Sequence, residues 1–259
     1  MAGNRPRTVN SSGISVGSKF EGKNLAQEIA ARIIISAQKR QRQALLEHEA
    51  KEICIAYGIP TPAFRVAHTP SEATFLAEQV SFPVVLKIIS EDILHKTEAG
   101  GVILSLNSKD QVRAAYEQLL SNVRAYRENS RIDGVLVQHM APRGVEVIVG
   151  GLRDDQFGPT VLFGLGGIFV EVLKDASFRI APMTSLDTRQ MIREIRSYPI
   201  LQGVRGQPPA DEDAIMNILQ ATSRMLLENP EIQQIDLNPV MVYGKGATVV
   251  DARIVLTNH

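Results

Sequence analysis

The sequence predicts a mixed α+β fold of two lobes with a ligand-binding cleft between them. Segments with helical spacing alternate with β-branched, extended segments, and several extended segments follow one another through short turns. That order favours α+β over a strictly parallel sheet. A chain of 259 residues is long enough for one large domain or two small lobes. A hinge is predicted around residues 130–134, and clefts between lobes commonly bind small ligands.

Composition and charge exclude several classes of protein. Hydrophobic residues make up 44% of the chain and charged residues 22%, which is typical of a folded protein with a substantial core. The formal net charge of zero argues against a general nucleic-acid-binding surface, and no apolar segment approaches the ~20 residues that span a bilayer. The single cysteine, Cys54, cannot form a disulfide within the chain and is interpreted as a buried helical residue. We therefore predict a cytoplasmic protein that binds neither nucleic acid nor membrane.

The N-terminal part of the chain is predicted as a tail followed by helices. Residues 1–23 are rich in Ser, Gly, Asn and Lys and are predicted to be a disordered tail. Apolar residues recur at helical spacing through residues 24–44, which predicts an N-terminal helix, and the helical pattern continues through 45–57. Gly58 ends that second stretch, and Pro60 prevents the helix from resuming.

Residues 45–256 are predicted as one domain, in which a lobe of residues 65–133 is inserted between 45–64 and 134–256. Within it, strands are predicted where β-branched residues cluster or alternate with polar ones, and helices where a capping residue precedes an apolar repeat of helical period. The predicted elements are, in order, strand 63–67, helix 69–79, strands 83–89 and 101–106, helix 109–127, strands 134–140, 145–150, 160–164 and 178–182, helices 186–198 and 211–229, and a closing hairpin of 232–242 and 247–256.

A polar loop that follows one of these strands contains the residues best suited to phosphate chemistry. An apolar run ends in Lys87, and the loop then provides His95, Lys96, Gly100 and Gly101. Imidazole is a nucleophile at neutral pH, and ammonium groups neutralise phosphate charge. Adjacent glycines let main-chain N–H groups approach phosphate oxygens closely. We predict that these lysines and glycines bind phosphate and that His95 carries a phosphoryl group.

Each of these residues also has an ordinary structural interpretation. A histidine in a polar loop is commonly a surface residue, and a lysine at a strand end is commonly an edge residue whose ammonium group extends into solvent. The flanking carboxylates favour the chemical interpretation of His95, because Asp92 or Glu98 could orient the ring and leave its other nitrogen free to attack a phosphoryl group.

A second glycine-rich loop offers another place to hold phosphate. Gly164, Gly166 and Gly167 follow a predicted strand, and Glu171 closes the loop within an apolar segment. Backbone amides of such a loop can cradle phosphate, although a tight turn between strands has the same composition. The loop lacks the lysine and Ser/Thr order of a P-loop and the spacing of the dinucleotide fingerprint. We include the three glycines among the phosphate-binding candidates and Glu171 among the catalytic ones.

The closing hairpin contains the strongest candidates for a metal site. Asp236 and Asn238 are two residues apart on one strand, so their side chains share a face, and Asp251 lies on the partner strand among apolar residues. Mg²⁺ takes a few carboxylate or amide oxygens, supplemented by water and phosphates. Arg253 lies on the same face as Asp251 and could bind phosphate or pair with the aspartate. The alternative is that Asn238 begins a turn and that Asp251 is a polar residue at a strand end.

These motifs, taken in order, resemble the ATP-grasp domain of the nucleoside-diphosphate-forming acyl-CoA synthetases, and above all the β subunits of the ADP-forming acetyl-CoA synthetases. The resemblance covers about residues 45–256, nearly everything after the tail. It is specific because several separated motifs agree. They are 82–87, 92–102, 164–171, 179–182, 236–240 and 250–253.

The resemblance implies an ATP-grasp fold in which ATP or ADP lies between the two lobes together with Mg²⁺. By this resemblance Lys87 meets the nucleotide phosphates. The strand segment of residues 135–138, which includes Val137 and Gln138, would offer backbone groups to adenine. Asn238 and Asp251 would hold the magnesium ion.

The resemblance also implies the chemistry and the partner. His95 occupies the place of a phosphorylatable histidine on a mobile loop, and we group it with Glu171 and Asp236 as catalytic. In the family a CoA-binding α subunit forms the acyl phosphate, and the phosphoryl group then passes through the β subunit to ADP. We therefore expect a heterotetramer with an α partner, and no full activity from this chain alone. The family commonly has glutamate where this chain has Asp236, which keeps the charge but changes its reach.

Two other functions fit part of the pattern. A nucleotide-binding regulatory module of a partner acyltransferase would bind ATP without turnover. A carboxylate–amine ligase of the wider ATP-grasp group would be active without a phosphoryl carrier at His95. Acid-labile label on His95 after incubation with radiolabelled ATP favours the synthetase over both.

Overall fold

The structure is a computed structural model, and it describes residues 24–93, 95–167, 174–204, 206 and 208–257. The predicted tail of residues 1–23 and the catalytic candidate Glu171 lie outside the described residues. The helices are α1 (Leu25–Lys39), α2 (Glu47–Ala56), α3 (Pro70–Val80), α4 (Lys109–Tyr126), α5 (Ser185–Arg193), α6 (Tyr198–Leu201) and α7 (Glu212–Glu228). The strands are β1 (Phe64–Ala67), β2 (Val84–Ile89), β3 (Val102–Leu106), β4 (Gly134–His139), β5 (Val145–Asp154), β6 (Gly158–Leu165), β7 (Ala176–Ile180), β8 (Ile232–Val242), β9 (Ala247–Val249) and β10 (Ala252–Leu256). Within this described part of the chain, no helix has the length and apolar character required to cross a membrane.

The smaller sheet consists of four antiparallel strands in the order β1-β4-β2-β3. Strand β2 is buried along its whole length, which explains its unbroken apolar run except for Lys87. Helices α3 and α4 pack against each other and cover one face of this sheet. Thr69 caps α3 and Ser108 caps α4, since each side-chain oxygen accepts a backbone N–H from the first turn.

The larger sheet is also antiparallel, in the order β10-β8-β5-β6-β7, with β9 paired to β8. Residues that alternate along its strands, such as Val147, Val149 and Phe163, are fully buried in a core shared with α1, α2, α5 and α7. The opposite face carries the polar residues of β8 and β10 toward the cleft. Two antiparallel sheets with helices confirm the predicted α+β class.

The division between the sheets differs by one strand from the prediction of a lobe at 65–133. Strand β4 pairs with β1 on one side and with β2 on the other, so hydrogen bonding extends the smaller sheet through His139. The chain then returns to the larger sheet, beginning at Val145. Gly134, the last residue of the predicted hinge region, begins β4 as the predicted strand 134–140 requires, and an added Cβ there would lie 3.1 Å from the backbone oxygen of Ala67.

The helical pattern of residues 24–57 is interrupted where the sequence suggested continuity. Helix α1 ends at Lys39, and the following linker runs beside β10, where the N–H of Leu45 donates to the oxygen of Ile254 at 2.9 Å. Helix α2 then begins at Glu47, and the Glu49 carboxylate accepts the N–H of Leu46 at 2.9 Å. The break therefore points the start of α2 at the gap between the two sheets.

Candidate active site

A cleft of about 960 Å³ opens between the two sheets. Its walls are the linker between α1 and α2, the loop that follows β2, residues in the middle of β8, and the start of β10. The sequence-predicted site residues that line it are His95, Lys96, Asp236, Asn238, Asp251 and Arg253. The structure thus brings the predicted phosphoryl carrier and the predicted metal ligands to one site.

Asp236 and Arg253 reach the cleft from neighbouring strands. They are direct cross-strand partners in the antiparallel pairing of β8 with β10, so the register places Arg253 opposite Asp236 and not opposite Asp251. Burial raises the pKa of Asp236, the Asp251 carboxylate raises it further, and Arg253 opposes the shift. A cation bound between the two carboxylates would be stabilised by both and would relieve the repulsion that Asp236 experiences.

Asp251 owes its position to a break in the last predicted strand. The sequence predicted one strand over 247–256, but β9 ends before Val250 and β10 begins after Asp251. At the break the N–H of Asn238 donates to the backbone oxygen of Asp251 at 3.2 Å, which ties two predicted metal ligands together. The Asp251 carboxylate is partly exposed and lies 3.3 Å from the ammonium group of Lys87.

The donor set of Asp236, Asn238 and Asp251 fits a hard divalent cation. Two carboxylates and an amide supply only oxygen ligands, as Mg²⁺ prefers, and water or phosphate oxygens would complete its coordination. The raised pKa of Asp236 is caused partly by repulsion from Asp251, and a bound cation would relieve that repulsion. Among the residues that the structure describes, no cluster of three or more His, Cys, Asp or Glu side chains offers a competing metal site.

Lys87 is buried and is not an edge residue whose ammonium group extends into solvent. Its side chain is 5% exposed, and its Nζ donates to the Glu47 carboxylate at 2.6 Å and to the oxygen of Val250 at 3.0 Å. Burial works against the charged form, but Glu47 and Asp251 outweigh it and raise the pKa of Lys87. Lys87 therefore presents a fixed positive charge just beneath the cleft.

Glu47 is at the centre of the site and was not predicted from the sequence. Its side chain is 2% exposed, and its Oε1 accepts from Lys51 at 2.7 Å and from Lys87 at 2.6 Å. Its Oε2 accepts from Lys96, the neighbour of His95. Burial works to raise the pKa of Glu47, but the charges of the three lysines hold it well below its usual range. Glu47 is therefore an ionised carboxylate inside the protein.

Lys51 is the second residue that the sequence analysis missed. Its side chain is fully buried and donates to the Oε1 of Gln138 as well as to Glu47, and burial lowers its pKa to about 8. Glu47 and Lys51 are four residues apart, which on a surface helix is an ordinary ion pair. A signal was nevertheless present, because Ala50 and Cys54 extend the same helical face and both are fully buried.

His95 is exposed on the loop that follows β2. Lys96 turns inward beside it and bonds to Glu47. Asp92, one of the two carboxylates predicted to orient the imidazole, instead accepts the N–H of Arg131 at 2.7 Å and so anchors the base of the loop. Glu98, the other, is exposed. The loop therefore presents the ring to the cleft from an anchored base.

The backbone N–H groups of Gly100 and Gly101 are committed within the loop, contrary to the predicted phosphate cradle. Gly100 donates to the oxygen of Thr97 at 3.1 Å, and Gly101 donates to that of Lys96 at 2.7 Å. Gly100 has a φ of +63°, and a Cβ on Gly101 would lie 2.6 Å from a side-chain methyl of Ile88. These glycines are required by the tight turn and by close packing on β2.

In the second glycine loop, two of the three candidate glycines also have structural roles. Gly164 lies inside β6, between Ile148 of β5 and Ala176 of β7, and the N–H of Gly166 donates to the backbone oxygen of Glu146 at 2.8 Å. Gly167 has a φ of +64° and open space around its Cα, so it is the described glycine of this loop that best keeps the predicted phosphate-binding role.

Val137 and Gln138 lie inside the smaller sheet. They pair with β1 on one side and with β2 on the other, so their backbone groups face two ladders and are not free for adenine as predicted. The side chain of Gln138 is fully buried and accepts from Lys51. Its contribution in this structure is to the buried charge cluster.

Comparison with known proteins agrees with this geometry. A family model described as an ATP-grasp domain matches residues 36–256. The β subunit of acetate–CoA ligase [ADP-forming] I from Pyrococcus furiosus is 47% identical over 226 residues, which cover 87% of this chain and 97% of the relative. The chain therefore belongs to the ATP-grasp family of nucleotide-binding domains. Within it, the chain belongs with the β subunits of the ADP-forming acetate–CoA ligases, which confirms the predicted fold and family.

Two solved structures extend the comparison. Acetyl-coenzyme A synthetase 1 of Candidatus Korarchaeum cryptofilum, in complex with coenzyme A and Ca-AMPCP, is 47% identical with a TM-score of 0.87, covering 88% of this chain and 100% of that chain. A selenomethionine derivative of that protein, with coenzyme A and Mg-AMPPCP, has its phosphohistidine segment pointing towards the nucleotide binding site. It is 45% identical with a TM-score of 0.79, again covering 88% of this chain and 100% of that chain.

Proposed function

We propose that this chain is the nucleotide-binding, phosphoryl-transferring subunit of an ADP-forming acid–CoA ligase. The full reaction is acid + CoA + ATP ⇌ acyl-CoA + ADP + phosphate, and this chain exchanges the phosphoryl group between His95 and the nucleotide. The observation that carries the proposal is that His95 lines the same cleft as the three predicted metal ligands. A nucleophilic imidazole, phosphate-neutralising lysines and metal-binding oxygens share one space.

The transfer step requires a nucleophile and charge neutralisation. A ring nitrogen of His95 attacks the γ-phosphorus of ATP with its lone pair, an N–P bond forms, the bond to the bridging β,γ-oxygen breaks, and ADP leaves with that electron pair. In the direction of ATP synthesis the same atoms move in reverse. Lys96 lines the cleft and Lys87 lies buried against Glu47 beneath it, so their charges would stabilise the negative charge on a group transferred there.

Magnesium belongs to this proposal through Asp236, Asn238 and Asp251. The ion would neutralise phosphate charge and orient the phosphates when it is bound. The residues of the chain contribute independently of it. Arg253, opposite Asp236 on the neighbouring strand, offers a further cation for a phosphate oxygen.

The proposal includes a CoA-binding α partner in a heterotetramer. The P. furiosus relative is named as a β subunit, which implies a separate α subunit in that enzyme. The exposed position of His95 on a loop suits a phosphoryl group that must pass between two sites. The partner would supply the acyl phosphate, and this chain would deliver the phosphoryl group to ADP.

Incubation of the chain with [γ-³²P]ATP and Mg²⁺ tests the proposal. We expect acid-labile, base-stable label that is lost in His95→Ala and kept in His68→Ala, a matched change at another exposed histidine. Peptide mapping should place the label on His95. Binding of ATP without labelling would favour a regulatory module, and ligase activity that survives His95→Ala would favour a carboxylate–amine ligase.

A further inference from the structure

The buried cluster around Glu47 has an excess of positive charge. The Glu47 carboxylate accepts from Lys51, Lys87 and Lys96, and the Asp251 carboxylate lies 3.3 Å from Lys87. Three ammonium groups therefore share two carboxylates. An unbalanced positive charge at the wall of an open cleft attracts an anion.

The three lysines differ in how easily they can change partner. The side chains of Lys51 and Lys87 are 0% and 5% exposed, whereas that of Lys96 is 20% exposed and lines the cleft. Lys51 and Lys87 are also fixed by further acceptors, Gln138 and the oxygen of Val250. Lys96 is thus the member of the cluster that an arriving anion can reach.

Lys96 also helps to hold the loop that carries His95. On one side of the histidine, Glu91 lies 3.3 Å from Arg42, which is itself held by Glu49. On the other side, Lys96 bonds to Glu47. The segment of residues 42–49 therefore contacts the loop on both sides of His95. The Lys96–Glu47 contact is the nearer of the two to His95 along the chain.

We propose that Glu47 is a positioning residue that takes the place of a phosphate oxygen for Lys96, and that the nucleotide phosphates displace it from Lys96. This inference rests on the proposed function. With Glu47 as its partner, Lys96 keeps the His95 loop docked against α2. When a phosphate takes over Lys96, the loop leaves α2 and follows the phosphate toward transfer.

The exchange leaves no buried charge without a partner. Glu47 keeps Lys51 and Lys87 after Lys96 departs, so its carboxylate stays compensated. A triphosphate carries more negative charge than one carboxylate and is therefore a stronger partner for Lys96. Because Glu47 competes with phosphate, its negative charge lowers the affinity for nucleotide while it aligns the loop.

Competition of this kind predicts opposite effects on binding and on rate. In Glu47→Gln the lysines lose their internal anion, so the Kd for Mg-ATP measured by calorimetry should fall by about tenfold or more. The rate of His95 labelling at saturating Mg-ATP should fall by about tenfold, because in the unaltered protein Glu47 still holds Lys87 in place beneath the cleft after Lys96 has changed partner. Glu47→Asp keeps the charge on a shorter side chain, so its Kd for Mg-ATP and its labelling rate should lie between those of the unaltered protein and those of Glu47→Gln.

The results separate this inference from the proposed function. Unaltered protein that neither binds Mg-ATP nor labels His95 would refute the proposed function. Unaltered protein that does both, with Glu47→Gln that is folded by circular dichroism but binds Mg-ATP equally or more weakly, would refute the role of Glu47 alone. A purely structural role for Glu47 predicts weaker binding and slower labelling together.

A second variant tests the loop contact without disturbing the most buried groups. Cys54 is fully buried with a pKa raised to about 12, so a nitroxide reagent will label a cysteine placed at exposed Thr97 in preference to it. In the protein labelled at position 97, the further substitution Lys96→Met should increase the mobile component of the electron paramagnetic resonance spectrum of the nitroxide. Lys109→Met, which removes an exposed ion pair on α4, should leave it unchanged. A spectrum that Lys96→Met leaves unchanged would refute the docking role.

Discussion

Replacing Glu47 by glutamine measures how far the stability of the fold depends on the buried charge cluster. Glutamine keeps the volume of the side chain but removes the negative charge shared by Lys51, Lys87 and Lys96. Removing one partner of a buried ion pair costs about 3–5 kcal/mol, because the remaining charge is left uncompensated. Lys87 retains Asp251 at 3.3 Å. We therefore expect the free energy of unfolding, measured with urea, to fall by about 3–5 kcal/mol in total and not by that amount for each of the three lysines.

Lys96→Met is the matched comparison within the same cluster. Its side chain is 20% exposed, and Glu47 keeps two other ammonium partners when it is removed. We expect the free energy of unfolding of Lys96→Met to fall by less than ~1 kcal/mol. Equal losses in Glu47→Gln and Lys96→Met would refute the view that the carboxylate, and not each separate ion pair, organises the cluster.

The stability difference between the unaltered protein and Glu47→Gln should depend on pH with a defined sign. Since the pKa of Glu47 is lowered in the fold, its stabilisation is fully present above the unfolded-state value of about 4.3 and is lost as the pH falls through the folded-state pKa. The stability gap between the unaltered protein and Glu47→Gln should therefore be constant from about pH 5 to 7 and narrow below roughly pH 4. A gap that widens on acidification would show that Glu47 is not ionised in the fold.

Four further substitutions test other parts of the structure. In Gly101→Ala the new Cβ would lie 2.6 Å from a side-chain methyl of β2, so urea unfolding should show a loss of about 1–3 kcal/mol. Asp175→Ala removes the acceptor of two consecutive backbone N–H groups at 2.8 and 2.7 Å and should also cost about 1–3 kcal/mol. Asp213→Ala, at a side chain that is 83% exposed, should change stability by less than ~0.5 kcal/mol. Asp251→Asn should raise the Mg²⁺ concentration needed for half-maximal ATP binding by about tenfold or more in calorimetric titration, and an unchanged requirement would contradict its assignment as a ligand.

The residues that the sequence located well are those whose positions follow from strand periodicity. Asp236 and Asn238 share a face because they are two residues apart on β8, and the neighbouring strand brings Arg253 beside them. His95 and Lys96 were found because they lie in a polar loop next to a buried strand. A local pattern was enough to place these side chains at the cleft, together with one strand pairing in the case of Arg253.

The residues that the sequence missed or misassigned depend on contacts between distant segments. Nothing local in α2 shows that Glu47 faces a lysine of β2 and another of the His95 loop. The same spacing that suggested phosphate-binding amides at Gly100 and Gly101 serves a turn whose N–H groups are used by its own carbonyl oxygens. Backbone hydrogen-bond partners outside a segment are not encoded in its composition, so the two roles could be separated only in the folded structure.

The bridge between Ala44 and Val255 has a consequence for the order of assembly. It joins segments near opposite ends of the described chain, and the N–H of Leu256 donates to the oxygen of Gln43 at 2.8 Å to seal the junction. Closing so long a loop is entropically unfavourable, and contacts of large sequence separation form slowly. Because this junction supports one wall of the cleft, refolding protein should recover helix and sheet content before it regains the capacity to hold a nucleotide.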